Sequence, residues 1–199
     1  MDFHISQAFT RRALLAGSVS VFAGCGRRPE LPRLGHVPAF GFSNQDEKRV
    51  DASSLRGSVW VAAFMFTRCP TICPRITRRM RALQERAAAN QVALRLVSIS
   101  VDPENDSPQV LREYARKYDA DTSNWSFLTG DFASIQKVAV DGFKLALEGR
   151  PDAGASDLGI LHGSHLVLVD RELEIRGYYQ TDDDAAMTAL LADATQLSG

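Results

Sequence analysis

The apolar residues of this chain follow two rhythms, one of strands and one of helices. Val59-Trp60-Val61-Ala62-Ala63-Phe64-Met65-Phe66 is an uninterrupted run, which predicts a buried strand within 58–66. Residues 92–101, Val-Ala-Leu-Arg-Leu-Val-Ser-Ile-Ser-Val, predict a second. Shorter strands are expected at 125–129, 166–169 and 175–179, with Asp170-Arg171-Glu172 turning between the last two. Nearer the start, residues 38–42 alternate apolar and small positions like a short strand. Asn44-Gln45-Asp46-Glu47 then turns, residues 48–51 return, and 53–57 connect into the long strand.

Between the strands the period becomes helical. Ile76, Met80, Leu83 and Ala87 recur at steps of four, three and four, one helix face, with Arg75, Arg78, Arg79, Arg81 and Arg86 mostly off it. Met80 therefore reads as core rather than as a metal-binding thioether. Ser107 can cap a second helix with Pro108 in its first position, and Val110, Leu111, Tyr114, Ala115 and Tyr118 form its face. Asp131 opens a third, carrying Phe132, Ile135, Val138 and Ala139. The last begins near Asp182-Asp183-Asp184, acids suited to the N-terminal dipole. Residues 149–159 lack periodicity and read as a mobile loop. Strands alternating with helices, then a hairpin and a helix, predict a three-layer α/β sandwich with a mixed central sheet. No internal repeat and no second domain are visible.

The chain has 199 residues, 45% hydrophobic and 24% charged, which suits one soluble domain plus a leader. A formal net charge of −1 gives no electrostatic reason to expect nucleic acid as a partner. Residues 1–25 read as an export signal. Thr10-Arg11-Arg12 resembles a twin-arginine signal, and the apolar stretch at 13–23 falls short of the ~20 residues that span a bilayer. Phe22-Ala23-Gly24-Cys25 resembles a lipoprotein processing site, with Cys25 the residue to be lipidated; Phe22 departs from the usual leucine. A plain cleaved signal or an uncleaved anchor is the alternative. Residues 26–36 are expected to be a basic, proline-containing tether, and 37–199 the domain.

Of three cysteines, Cys25 belongs to the leader, so Cys69 and Cys73 stand alone in the domain. They lie in Thr67-Arg68-Cys69-Pro70-Thr71-Ile72-Cys73-Pro74, where the first long strand hands over to a helix, with Pro74 suited to its first turn. The helix dipole and unpaired N–H groups there favour thiolates. A structural staple across so few residues would constrain the unfolded chain little, which favours a working site. Thiolates so placed can exchange disulfides or bind a soft metal.

This order of elements resembles the thioredoxin superfamily, and within it the Sco/SenC family of copper-handling proteins. Three matches carry the resemblance: Phe66-Thr67-Arg68-Cys69-Pro70-Thr71-Ile72-Cys73-Pro74; Ser100-Val101-Asp102-Pro103-Glu104-Asn105-Asp106-Ser107-Pro108; and His162, eight residues before the aspartate of Leu166-Val167-Leu168-Val169-Asp170. The resemblance implies a thioredoxin-like fold. It also implies one copper ion, Cu(I) or Cu(II), bound by Cys69, Cys73 and His162 for delivery to the Cu(A) centre of cytochrome c oxidase. Expected partners are the copper-bearing oxidase subunit, a periplasmic thiol reductase and, through the N-terminal anchor, the periplasmic face of the bacterial inner membrane.

Two thiolates and an imidazole are a soft set that suits copper, whereas a structural zinc site usually brings a fourth protein ligand. In a helix, residues four apart would sit ~5–6 Å apart at Cβ, close enough for one ion or one disulfide. His165 competes with His162 for the ligand role, and the family spacing favours His162. Asp102 is either a turn-forming Asp-Pro or a carboxylate orienting the histidine or a copper partner. The alternative function is a periplasmic thiol–disulfide oxidoreductase acting on oxidase or other client cysteines. Ser164, where thioredoxins carry a cis-proline, weighs against pure disulfide exchange. A thiol peroxidase would need threonine three residues before its cysteine, where Phe66 and Pro70 stand. His4 and His36 are expected to be uninvolved.

Overall fold

The computed structural model describes residues 29–145 and 165–199, and its main compact unit runs from Leu31 to Gly199. The chain order is β1 (Gly35–His36), β2 (Gly41–Asn44), β3 (Arg49–Asp51), β4 (Val59–Met65), α1 (Ile72–Ala89), β5 (Leu94–Ser100), α2 (Pro108–Lys117), β6 (Trp125–Thr129), α3 (Phe132–Lys137), β7 (His165–Val169), β8 (Glu174–Gln180) and α4 (Asp184–Ser198). The strands join in one sheet ordered β1-β8-β7-β4-β5-β6-β2-β3. β4, β5 and β6 run parallel and the other pairings are antiparallel, so the sheet is mixed as expected.

The central strands are apolar because the sheet is covered on both faces. All seven residues of β4 are buried. On one face Trp60 and Phe64 meet the Phe143 ring edge-on, at centroid distances of 6.1 and 5.2 Å. On the other, Tyr114 of α2 meets Phe127 of β6 edge-on and hydrogen-bonds Thr77 of α1 at 2.9 Å. α4 lies beside α1, joined by Arg79–Asp184 at 2.7 Å. Ile76, Met80, Leu83 and Ala87 are all buried, so the four-three-four period marks the core face of α1. Ser107 caps α2 by accepting the Val110 N–H, with Pro108 in the first position, and Asp131 caps α3 through Ser134.

Three local features differ from expectation. The strand expected at 38–42 forms at Gly41–Asn44, because Pro38 has no N–H to give a ladder and Val37 turns its own to the Leu173 carbonyl. Residues 31–36, read as tether, are tied to the sheet: Gly35 and His36 pair with Ile175 and Glu174, and the Arg176 guanidinium donates to the carbonyls of Leu31 and Pro32. α3 runs on into a π-helical turn, Val138–Gly142, which brings Phe143 onto Trp60 and Phe64. The loop expected at 149–159 lies outside the described residues.

The core position of Met80 gives a test. Met80→Ala should lower stability by ~2–5 kcal/mol, and Met80→Leu by less than ~1.5 kcal/mol, in urea denaturation. Equal large losses in both would mean that the sulfur, not the volume, is what the site requires.

Candidate dithiol and metal site

The working end of the sheet is built where β4 runs out. The Cys69 N–H donates to the Phe66 carbonyl at 3.3 Å, closing a turn directly after β4. α1 starts at Ile72, so Cys73 is its second residue and Pro74 its third. The cysteines are therefore not two rungs of one helix, as their four-residue spacing first suggests. Cys69 reaches the helix from the preceding turn, because Pro70 and Thr71 still lie outside it.

That difference gives the sulfur a job. The residue in the N-cap position, Thr71, makes no side-chain cap, and the first turn of α1 holds no acid. The Cys73 N–H instead donates to the Cys69 sulfur at 3.4 Å, so the sulfur does what a capping oxygen would do. Burial pushes the Cys69 thiol up, but the N–H groups of Cys73, Thr71 and Ile72 and the Cys73 thiol together outweigh it, and its pKa falls below the usual cysteine value. Cys73 moves the other way. Burial pushes its pKa far up, a backbone hydrogen bond from Phe66 offsets part of this, and the negative charges of Cys69 and Asp106 add to the rise. Both cysteines are free and buried. The pair thus holds one negative charge readily and resists a second.

Two clamps fix the arm that carries Cys69. The Arg68 guanidinium grips the buried Asp102 carboxylate at 2.8 and 3.1 Å, and Asn105 donates to the other Asp102 oxygen at 2.8 Å. One residue earlier, the Thr67 N–H and hydroxyl both donate to Asp106, which also accepts the Ser100 hydroxyl. Asp106 is fully buried, and burial raises its pKa while these donors pull it back. Asp102 also makes its expected turn, its carbonyl accepting the N–H groups of Asn105 and Asp106. Sequence reasoning passed over Asp106. Its one signal was its place in the 100–108 match, between a turn and a helix cap, where an acid is ordinarily solvated.

Cys69 and Cys73 are thus brought together, with Asp102 bound to the residue preceding Cys69. His162 and Cys25 lie outside the described residues. His165 starts β7, half-buried and opposite Gln180. His36 is exposed and bonded to Glu174 at 2.9 Å. Among the described residues, no cluster of three or more His, Cys, Asp or Glu side chains is arranged to hold a metal. The described donors are therefore two sulfurs, a soft pair that fits a soft ion.

A mixed sheet flanked by helices, with a dithiol at the strand-to-helix handover, defines a thioredoxin-like α/β protein. Within that class, the SCO1/SenC family model matches residues 30–196, and the chain belongs to that family. It is similar to the solved SCO1/SenC family lipoprotein of Bacillus anthracis, with 32% identity, TM-score 0.75, and 83% of this chain and 96% of that one covered. It is equally similar to BsSco, a Sco family cytochrome c oxidase assembly protein in which a disulfide switch is identified: 35% identity, TM-score 0.75, 85% and 97% covered. Copper-bound ScoI of Arabidopsis thaliana is 25% identical, with TM-score 0.67 and 80% and 98% covered.

The opposite shifts of the two thiols predict a pH-dependent order of reaction. Iodoacetamide should modify Cys69 first, its rate rising at pH values below the ordinary thiol value of 9.0, while Cys73 stays protected above it. Peptide mass spectrometry of the reduced protein resolves the two sites. Faster modification of Cys73 would contradict the assignment of roles.

Proposed function

We propose that the chain is an exported, membrane-anchored metallochaperone that carries copper to the Cu(A) centre of cytochrome c oxidase. The observation that carries this reading is the buried thiol pair, in which backbone N–H groups hold negative charge on Cys69 beside a protected Cys73. Such a site offers soft sulfur ligands, which suits a copper cargo. Copper bound to a Sco protein of Arabidopsis thaliana and the oxidase-assembly role of BsSco support it.

In this reading Cys69, Cys73 and His162 hold one copper ion, and Asp102 acts through Arg68 to keep the Cys69 arm in place. Residues 1–25 export the chain, Cys25 carries a lipid, and the few residues between Cys25 and Leu31 tether the domain to the periplasmic face of the inner membrane. A relative that is a lipoprotein supports the anchor, and no helix among the described residues is long and apolar enough to cross a membrane. The partners are the copper-bearing oxidase subunit and a thiol reductase that keeps the pair reduced.

A second reading, a thiol–disulfide oxidoreductase acting on client cysteines, draws on the same asymmetry. A thiolate at Cys69 is the attacking group such exchange needs, and BsSco has a disulfide switch. Copper and disulfide exclude one another, because each consumes both sulfurs.

Titration of the reduced protein with copper separates the readings. One ion should bind, and His162→Ala should weaken binding much more than His165→Ala. Equal losses would mean that the spacing picks the wrong histidine, whereas thioredoxin-like disulfide-exchange rates unaffected by copper would favour the oxidoreductase. Mass spectrometry of membrane-extracted protein should find a lipidated Cys25 at the N-terminus. An unlipidated N-terminus cut elsewhere would remove the lipoprotein claim.

A further inference from the structure

Helix α1 carries five arginines and one glutamate, and the ion pairs of the fold use two of the five. Arg81 pairs with Glu85 at 3.0 Å and Arg79 with Asp184 at 2.7 Å. Arg75, Arg78 and Arg86 are exposed, and their guanidinium groups make no ion pair or hydrogen bond among the described residues; the Arg86 carbonyl accepts from Asn90. Steps of three, one and seven place Arg75, Arg78, Arg79 and Arg86 along one face of the helix, a strip ~16 Å long. The strip starts less than one turn beyond Cys73, at the dithiol end.

Helix stability does not account for it. Positive charge near a helix N-terminus opposes the macrodipole, and α4 shows the usual solution, with Asp183 as its cap and Asp184 in its first turn. Nor does thiol chemistry account for it, since Cys69 is held by backbone N–H groups of residues 71–73 rather than by a guanidinium. The nearby acids are already engaged: Asp183 accepts the Ala185 N–H, and Asp184 holds Arg79. Unpaired guanidinium groups beside an exchange site are suited to binding carboxylates in a forked geometry and steering an oppositely charged partner.

We propose that Arg75 and Arg78, extended by Arg86, form a docking strip for an acidic protein surface on the partner that receives the dithiol's cargo. The inference rests on the copper-delivery reading for the partner's identity, but not for the existence of the strip. A protein surface is favoured over anionic lipid because the strip starts at the dithiol end of α1, the end at which a protein receiving the cargo must approach. Nucleic acid fits poorly with a net charge of −1.

The test is calorimetric titration of the reduced, copper-free full chain, in detergent, with the copper-free soluble domain of the copper-bearing oxidase subunit. Binding should weaken by about tenfold or more between about 20 mM and about 200 mM salt. At low salt the double variant Arg75→Glu, Arg78→Glu should lose about tenfold in affinity and most of its salt dependence, and Arg86→Glu should lose less. Its unfolding midpoint and its Cu(I) affinity should match those of the wild type. Salt-independent binding by the wild type, or undiminished binding by the double variant, would overturn the proposal. So would binding of the wild type to phosphatidylglycerol–phosphatidylcholine vesicles, lost in the double variant, without binding to the domain. A wild type that takes up no copper would end the delivery reading, and the copper-free titration would still decide the strip.

Discussion

The hydrogen bond from the Cys73 N–H to the Cys69 sulfur is the contact on which the site depends. It exists because β4 ends one turn before α1 begins, leaving a helix N-terminus without a side-chain cap. A sulfur placed there gains the orphan N–H groups of the first turn, and those groups favour its thiolate. The second sulfur, on a buried residue inside the helix, gains little of this, and burial pushes its pKa far up. One strand-to-helix junction thus makes two cysteines chemically unequal.

The arm that delivers Cys69 would be loose without the turn after β5. Arg68 to Asp102 and Thr67 to Asp106 bind consecutive residues of the arm to that turn, which the parallel pairing of β4 with β5 brings alongside. Asp106 faces three hydrogen-bond donors and no cation among its hydrogen bonds, and these donors offset part of the burial that raises its pKa. A buried acid held in this way fixes position tightly, since losing one donor would leave a buried charge poorly satisfied. It also places a negative charge where Cys73 feels it.

Much of this was legible in the sequence, because long periodic signals survive tertiary context. The apolar run before Cys69 became β4, and the four-three-four spacing from Ile76 to Ala87 became the buried face of α1. The caps at Ser107 and Asp131 were legible for the same reason, each being a local device with a local signal. β1 was not, since two residues, Gly35 and His36, carry no pattern and are held by β8, far along the chain. The π turn that seats Phe143 was hidden too, because its cause is a partner, the ring pocket of Trp60 and Phe64. Cys69 and Cys73 were found from spacing, yet their geometry was misread, since the helix starts later than a four-residue repeat implies. Asp106 escaped because burial, not residue type, gives it its role.

X-ray absorption at the copper edge, on the reduced protein loaded with one equivalent of Cu(I), measures the coordination directly. The account predicts two sulfur scatterers and one imidazole nitrogen per copper, with the imidazole signal lost in His162→Ala and kept in His165→Ala. Copper bound by one sulfur or none, or an imidazole signal that persists without His162, would contradict it.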